Sequence, residues 1–596
     1  MCMRDILIVS IFLLVMFCQV ETLNGQEDRK RIVQFIPLPD SSHIRDFQMI
    51  AKATAALLNA SPSTSNTEVQ FISPNIIKAE PCKILKHIQC PVPDGFNIAQ
   101  IMETYGGFAN SSVPRLERLA LELKMFTAAY DVGMLTMNNL YNETSTCDVS
   151  MHRLLKSRND TDVLLVIDNI FAPVVEWAEK NKMNYVLIGI APVMFVYRGM
   201  PSYLPHLPIG STSLEKGRRI IEKNGIFAYL ANQINEQVIG FGKVVKTSLS
   251  VMSEYNKARE RYGMPTRSTP FIEPLDKLTI HLTLPGIFEY SFAVPNIHKF
   301  VGFNYIEKSM SAKPQFSSMS LEETSGSPSQ SEEILWLDEQ LRKNRKVVFI
   351  AFGTKAKVAP SHLKAVITSI LSYPQQSLSV LLASSNIHVS DVMDSHRVAE
   401  WTQKILIKDW VAQVNVLKHP ATTMFVTHGG SHSIFESITA EVPLLIMPIF
   451  GDQPLNAIRS EDHGIARMIN PEDKEELSES IAFILENSHQ IKQRMRKTKQ
   501  LNRDVAALPM DAELLKQFLQ YEDVHTLSTA SVAAAGLIRQ VLLYGADHLV
   551  SMDTKLSYIE KVHPLYVLIL ALVSPILIFF IIRGRCSSRG KQGKIT

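Results

Sequence analysis

The sequence predicts an α/β protein built from two Rossmann-like halves, and three observations carry that expectation. From Lys346 onward, strand-like apolar runs alternate with amphipathic stretches, the pattern of a parallel sheet wrapped by helices. An earlier region, from Arg31 to Ile190, alternates in the same way. Between them, Lys313 to Glu333 is rich in Ser, Pro, Gln and Glu, including SGSPSQSEE, and reads as an exposed connector with too few apolar residues to pack. At 596 residues, 46% hydrophobic and 20% charged, the chain is too long for one domain and too apolar for disorder.

At the N-terminus, Arg4 precedes an uncharged apolar run from Ile6 to Phe17, which gives way to polar Gln19, Glu21, Thr22 and Asn24. Such a run is too short to span a bilayer, which needs roughly 20 residues, but it fits the apolar region of a signal peptide. Residues 1–25 are therefore expected to be a leader, cleaved between Val20 and Gln26. Residues 26–330 form the first half: strand RIVQFIPL, the polar loop PDSSHIR, a helical pattern over Phe47 to Leu58, strand VQFIS, then DVLLVID, a helix from Ala172 and strand NYVLIGI. Residues 331–523 form the second, with KVVFIAFG, a helix from Ser361, SVLLAS, KILIKDW, TMFVTHGG and PLLIMPIF. Residues 524–562 read as a membrane-proximal helical segment. Leu565 to Ile582 carries no charge and as a helix would span about 27 Å, so residues 563–583 are expected to form a transmembrane helix in which Pro575 is tolerated. A basic tail, residues 584–596, ends the chain.

Net charge is +3, yet Arg583, Arg585, Arg589, Lys591 and Lys594 supply five positive charges in an acid-free terminus, leaving −2 for everything before them. That balance argues against a nucleic-acid-binding body. A mean hydropathy of +0.05 argues against repeated membrane spans. The positive-inside tendency puts the tail in the cytosol and the body in the lumen or outside. Asn110-Ser-Ser, Asn142-Glu-Thr and Asn159-Asp-Thr are N-glycosylation candidates, with Asn59-Ala-Ser a poorer one because Pro62 follows. Of six cysteines, Cys2 and Cys18 lie in the leader and Cys586 in the tail. Of the remaining three, Cys82 and Cys90 could pair across a short loop. No CxxC or HxxxH spacing near them suggests a metal site.

The stretch from Asp409 to Asn456 carries the most chemistry. TMFVT reads as a buried strand, and His428-Gly-Gly-Ser-His-Ser opens the helix after it. Glycines at a strand-to-helix turn let backbone N–H groups approach an anion, and a helix N-terminus favours negative charge, so a phosphate fits there. The whole stretch closely resembles the signature of the UDP-glycosyltransferases, the GT-B family that includes the glucuronosyltransferases. The match runs through Trp410-x-x-Gln413, Leu417-x-His419-Pro420, Phe425-Val-Thr-His428-x-Gly430, Glu436, Pro443, Pro448 and Asp452-Gln453. Two positions depart from the commonest wording: His432 stands where Asn is frequent, and Ala412 where Pro is.

The resemblance implies a GT-B fold with a C-terminal transmembrane helix, and a role for each residue. Trp410 would stack on uracil, Gln413 would sit against the nucleoside, and Glu436 would accept hydrogen bonds from the ribose hydroxyls. His428 and the backbone of Gly430, Ser431, His432 and Ser433 would hold the diphosphate, helped by Thr354. Asp452 and Gln453 would read sugar hydroxyls. His43, in the loop PDSSHIR, would be the general base that activates an acceptor hydroxyl, oriented by Asp168 at the end of DVLLVID. Strand ends of this kind are where ligands bind in a doubly wound sheet. The implied reaction is transfer of a hexosyl group from a UDP-sugar with inversion, with no metal or other cofactor. Asp160-Thr-Asp162 has the DxD form of metal-dependent transferases but lies in a polar turn and a sequon, and reads as solvated.

Glucuronate-using relatives often carry Pro-Arg-Pro where this chain has Ser291-Phe292-Ala293, without Arg, which tilts the donor toward UDP-glucose and away from UDP-glucuronate. The first half and the anchor suggest a small lipophilic acceptor; no nucleic acid is expected, and a homo- or hetero-oligomer stays open. By resemblance the protein would be a single-pass endoplasmic reticulum membrane protein with a luminal body. Its GKQGKIT terminus lacks the usual close dilysine spacing. The alternative reading is an inactive UDP-binding membrane protein that regulates active relatives.

Overall fold

The computed structural model describes residues 30–38, 41–61, 64–74, 84–90, 110–112, 115–147, 151, 161–190, 214–233, 252–267, 276–284, 296–304, 331–353, 356–374, 377–384, 387, 389–392, 401–505 and 528–550. Two parallel sheets organise them. The first contains β1 (Lys30–Ile36), β2 (Thr67–Pro74), β3 (Lys86–Cys90), β4 (Thr161–Asp168), β5 (Asn184–Gly189), β6 (Thr279–His281) and β7 (His298–Phe300), in the order β3-β2-β1-β4-β5-β6-β7. The second contains β8 (Lys346–Ala351), β9 (Leu378–Ala383), β10 (Ile405–Lys408), β11 (Thr422–Thr427), β12 (Leu444–Ile446) and β13 (Ala466–Met468), in the order β10-β9-β8-β11-β12-β13.

In each sheet the chain starts near the middle, steps outward, then crosses to the other side. The reversal falls between β1 and β4 in the first sheet and between β8 and β11 in the second. Such switch points open a crevice beyond the carboxyl ends of the strands. In the first half that crevice lies between the segment leaving β1 and Asp168, the last residue of β4. In the second it lies between the turn at Gly353 and the turn at His428. Both predicted Rossmann-like halves are therefore present.

The central strands are buried on both faces, as parallel strands covered by helices must be. Along β4, Leu164 and Val166 face a core shared with helix α1 (Ser41–Ala60), while Leu165 and Ile167 face a second core with α2 (Arg115–Leu140) and α3 (Ala172–Lys180). Helix α1 buries Ile44, Phe47, Ile50, Ala51, Ala55 and Leu58, an apolar stripe at helical spacing. It starts at Ser41, so His43 stands on its first turn and not in a loop, since polar first-turn residues leave no apolar periodicity to mark the start. Two polar clusters are paired inside this half: Gln34 bonds Gln70 at 2.8 Å and accepts from Tyr141 Oη at 2.6 Å. Buried Glu176 pairs with buried Arg259 and accepts from Tyr130 Oη at 2.6 Å.

The Cys82–Cys90 pairing that the sequence allowed is not the one formed. Cys90, closing β3, is bonded to Cys147, with their Cα atoms 4.2 Å apart. Helix α2 runs back along the sheet and delivers Cys147 beside β3 after 57 residues, a return that local spacing could not reveal. Cys82 lies outside the described residues.

Several contacts join the halves. Helix α4 (Leu214–Gln233), in the first half by sequence, docks on the second through Lys216–Glu476 at 2.6 Å and Arg219–Glu461 at 3.0 Å. Ser111 N donates to Lys357 O at 2.9 Å, and Ser111 Oγ accepts from Ala359 N at 2.8 Å. The second half also includes α5 (Glu332–Arg342), α6 (Pro360–Leu371), α7 (Gln413–Lys418), α8 (Ser431–Ala440), α9 (Gln453–Asp462), α10 (Lys474–Glu486) and α11 (Ser488–Val505), and the connector's last acids, Glu332 and Glu333, already belong to α5. Then α12 (Thr529–Tyr544) packs its alanine face on α1. The segment expected to be membrane-proximal thus contributes to the core of the first half, because Ala530, Ala533, Ala534 and Ala535 allow close helix approach.

Among the described residues no helix is long and apolar enough to cross a membrane. The expected leader, Leu565–Ile582 and the basic tail all lie outside them, as do Asn159 and Asp160. Asn59 and Asn142 are exposed, whereas Asn110 is half-buried in a backbone bridge to Lys357. Asp162 is the second residue of β4 and not part of a turn.

Candidate active site

The first half contributes a histidine–carboxylate pair at its switch point. Asp168 is fully buried, and its carboxylate accepts from Leu38 N at 3.3 Å and Ile170 N at 3.2 Å. His43 Nδ1 lies 2.5 Å from Asp168 Oδ2. A carboxylate there fixes the proton on Nδ1 and leaves Nε2 as the basic nitrogen. Burial opposes protonation of His43, but Asp168, by charge and by hydrogen bond, together with the charges of Asp46 and Asp452, outweighs it and holds the pKa above 6.5. The pair can accept a proton and stabilise the imidazolium that results.

The second half contributes a glycine turn and a helix N-terminus. Gly429 takes φ +86°, and a Cβ there would meet Ile446 Cγ2 at 2.6 Å. At Gly430 a Cβ would meet His428 Nε2 at 2.7 Å, so the imidazole lies directly over the backbone that opens α8. Burial lowers the His428 pKa to about 4, leaving a neutral ring at physiological pH that donates one hydrogen bond and brings no charge. No acid occupies the first turn of α8, so its N-terminal dipole is available to an anion.

Around this turn the expected site residues converge. Gln413, opening α7, donates from Nε2 to Glu436 Oε2 at 2.8 Å and approaches Ser433 Oγ at 3.4 Å. Trp410 is half-buried between β10 and α7. Ser431 Oγ donates to Asp452 Oδ2 at 3.0 Å, which ties the start of α8 to the start of α9. Gln453, expected with Asp452 to read sugar hydroxyls, has its carbonyl oxygen turned to the backbone. It is buried, and its Oε1 accepts from Ile449 N at 2.9 Å and Phe450 N at 3.0 Å, shaping the loop that presents Asp452. Thr354 lies outside the described residues, next to Gly353, whose own Cβ position would be 3.1 Å from His428 Cε1.

The structure adds residues that motif reading passed over. Asn456, one turn after Asp452 and fully buried, donates to Asp452 Oδ2 at 2.7 Å and to Gly429 O at 2.9 Å, bracing both loops. On α1, Arg45 reaches Glu436 Oε1 at 3.4 Å, and Asp46 meets His432 Nε2 at 2.8 Å. The only signal for these two was their place beside His43 on an amphipathic helix.

Residues 333–516 match the family model described as UDP-glucoronosyl and UDP-glucosyl transferase. UDP-glycosyltransferase 90A2 of Arabidopsis thaliana is 29% identical over 179 residues, 29% of this chain and 35% of that protein. UDP-glucuronosyltransferase 1A9 of Homo sapiens is 37% identical over 109 residues, 18% of this chain and 20% of that protein. The chain thus matches 20–42% of the length of such curated relatives. Among solved structures, Medicago truncatula UGT71G1 complexed with UDP-glucose aligns over 87% of this chain and 99% of its own, at 15% identity and a TM-score of 0.48. Trp410, Gln413, His428, Glu436, Asp452 and Asn456 all fall inside the matched span, so residues 333–516 form a domain of the UDP-glucoronosyl and UDP-glucosyl transferase family.

Proposed function

We propose that the protein transfers a sugar from a UDP-sugar to a hydroxyl of a small lipophilic acceptor, with inversion at the anomeric carbon. The observation that carries this is the placing of the His43–Asp168 pair, by α1, across the cleft from the α8 N-terminus of the family domain. In this reading Trp410 stacks on uracil and Glu436 takes the ribose hydroxyls. The N–H groups that open α8, with the neutral His428, cradle the diphosphate. His43 Nε2 removes the acceptor proton as the oxygen bonds to the anomeric carbon. The carbon–oxygen bond to UDP breaks with its electron pair on the diphosphate, whose developing charge the α8 N-terminus stabilises. The donor's α-linkage becomes a β-glycoside.

The absence of Arg at Ser291-Phe292-Ala293 favours UDP-glucose as donor. The Cys90–Cys147 bond fits an oxidising lumen. With the expected leader and the anchor at Leu565–Ile582, it supports residence in the endoplasmic reticulum membrane with a luminal body. The test is UDP release from UDP-glucose and UDP-glucuronate in the presence of a mixed library of lipophilic alcohols and phenols. Wild type is expected to release UDP in an acceptor-dependent way, fastest from UDP-glucose, and His43→Ala to lose the activity. Equal rates for wild type and His43→Ala would remove His43 as the base, and preference for UDP-glucuronate would reverse the donor assignment.

A further inference from the structure

We infer that Asp46 is a positioning residue for the transfer, pairing with His432 across the cleft so that the helix carrying His43 is held in register with the helix that seats the donor diphosphate. The inference rests on the transfer reading above and adds a residue to it.

Asp46 is only 2% exposed, and a buried carboxylate persists only where it is paired. Its two oxygens have separate partners. Oδ2 meets His432 Nε2 at 2.8 Å, and Oδ1 accepts from Asn304 Nδ2 at 3.2 Å. Asn304 is fixed in turn, since its Oδ1 accepts from Ser528 Oγ at 2.5 Å and Ser531 Oγ at 2.8 Å at the start of α12. Burial works against the charged carboxylate, but His432, with Arg45 and Asn304, outweighs it and holds the Asp46 pKa below the ordinary 3.8. The result is a fixed anion, braced from behind by α12 and aimed at the second half.

Helical spacing makes this contact specific. His43 and Asp46 are three residues apart and share one face of α1; His432 and Glu436 are four apart and share one face of α8. Asp46–His432 and Arg45–Glu436 therefore tie two adjacent residues of α1 to two points one turn apart on α8. The points differ in character. Glu436 has Arg45 on Oε1 at 3.4 Å and Gln413 on Oε2 at 2.8 Å, and it is the carboxylate assigned to the ribose, so a bound donor competes with Arg45. The donor has no such claim on Asp46. When the donor is bound, the Asp46–His432 pair remains to set where His43 stands.

The test uses the full chain with UDP-glucose and an acceptor from the library. Asp46→Asn and His432→Asn are each expected to lower kcat about tenfold with donor KM changed less than about twofold, since a misplaced base costs rate more than binding. The double variant is expected to be no worse than the worse single, as for residues acting through one contact. Multiplied losses of about a hundredfold in the double variant, or a raised donor KM with kcat intact, would overturn the inference. Hydrogen exchange without donor gives a second readout. Both singles should speed exchange in residues 41–60 and 431–440 together, and an effect confined to the mutated helix counts against the pairing. His432 is partly exposed and on the opposite side of the cleft, so His432→Asn keeps the test available if Asp46→Asn fails to fold. An enzyme that needs His43 but is indifferent to both substitutions sinks only this inference, whereas indifference to His43→Ala sinks the transfer reading itself.

Discussion

At the scale of single residues, the proposed transfer depends on the protonation state of one imidazole. In the proposed transfer neutral His43 is the base, so the rate should rise with pH through its pKa, which Asp168, Asp46 and Asp452 hold above 6.5 against the opposing effect of burial. Asp168→Asn removes the largest of those three charges. The acid limb of kcat/KM should then move to lower pH, because losing that anionic charge disfavours the imidazolium and lowers the His43 pKa, while the plateau falls by on the order of 10²–10⁴-fold as the proton-accepting transition state loses its support. An acid limb that stays in place would mean that the titration belongs to another group. His43 and Asp168 could be suggested from the sequence because each ends or follows an apolar strand and resembles a known pair. Asp46, Asn304 and Asn456 could not. Asp46 gains its meaning from His432, 386 residues away, and Asn304 from Asp46, 258 residues away, and nothing in either local sequence records those distances.

At the scale of elements, period and composition carried most of the secondary structure, since strands buried on both faces read as unbroken apolar runs. TMFVT and DVLLVID became β11 and β4, and the helix expected from Ser361 became α6. Edges and partners were less legible: α1 began before its apolar stripe, and Cys90 found its partner through the return of α2. The docking of α4 is of the same kind. Its basic residues look like a solvated face in the sequence, yet Arg219 and Arg467 lie 3.0 and 3.5 Å from Glu461, which is fully buried. Glu461→Ala would leave two guanidinium groups facing each other without that carboxylate. Removing one member of a buried pair costs about 3–5 kcal/mol. Here the expectation is the lower end, about 3 kcal/mol, because Glu215 stays 3.5 Å from Arg467. Urea unfolding of the full protein measures it, and a loss below about 1 kcal/mol would show that the cluster contributes little.

At the scale of the whole molecule, the chain's path couples the two halves twice. It leaves the first half after Asn304, builds the second, and returns through α12 to pack on the helix that carries His43. The return depends on small side chains: Ala530, Ala533, Ala534 and Ala535 on α12 meet Ala51, Ala53, Ala55 and Ala56 on α1, all essentially buried. Enlarging one of them should act far beyond its own position. Ala534→Leu inserts three carbons into a fully buried seam, and overpacking of that kind costs about 1–3 kcal/mol. The strain can be relieved only by moving α12 or α1. Moving α12 shifts Ser528 and Ser531 away from Asn304, and moving α1 shifts His43 itself. The substitution, nearly 500 residues from His43 in sequence, should therefore lower both the unfolding midpoint and kcat, whereas an exposed control such as Tyr544→Ala on the same helix should leave kcat unchanged. A stability loss with kcat intact would show that α12 supports the fold without setting the position of the base.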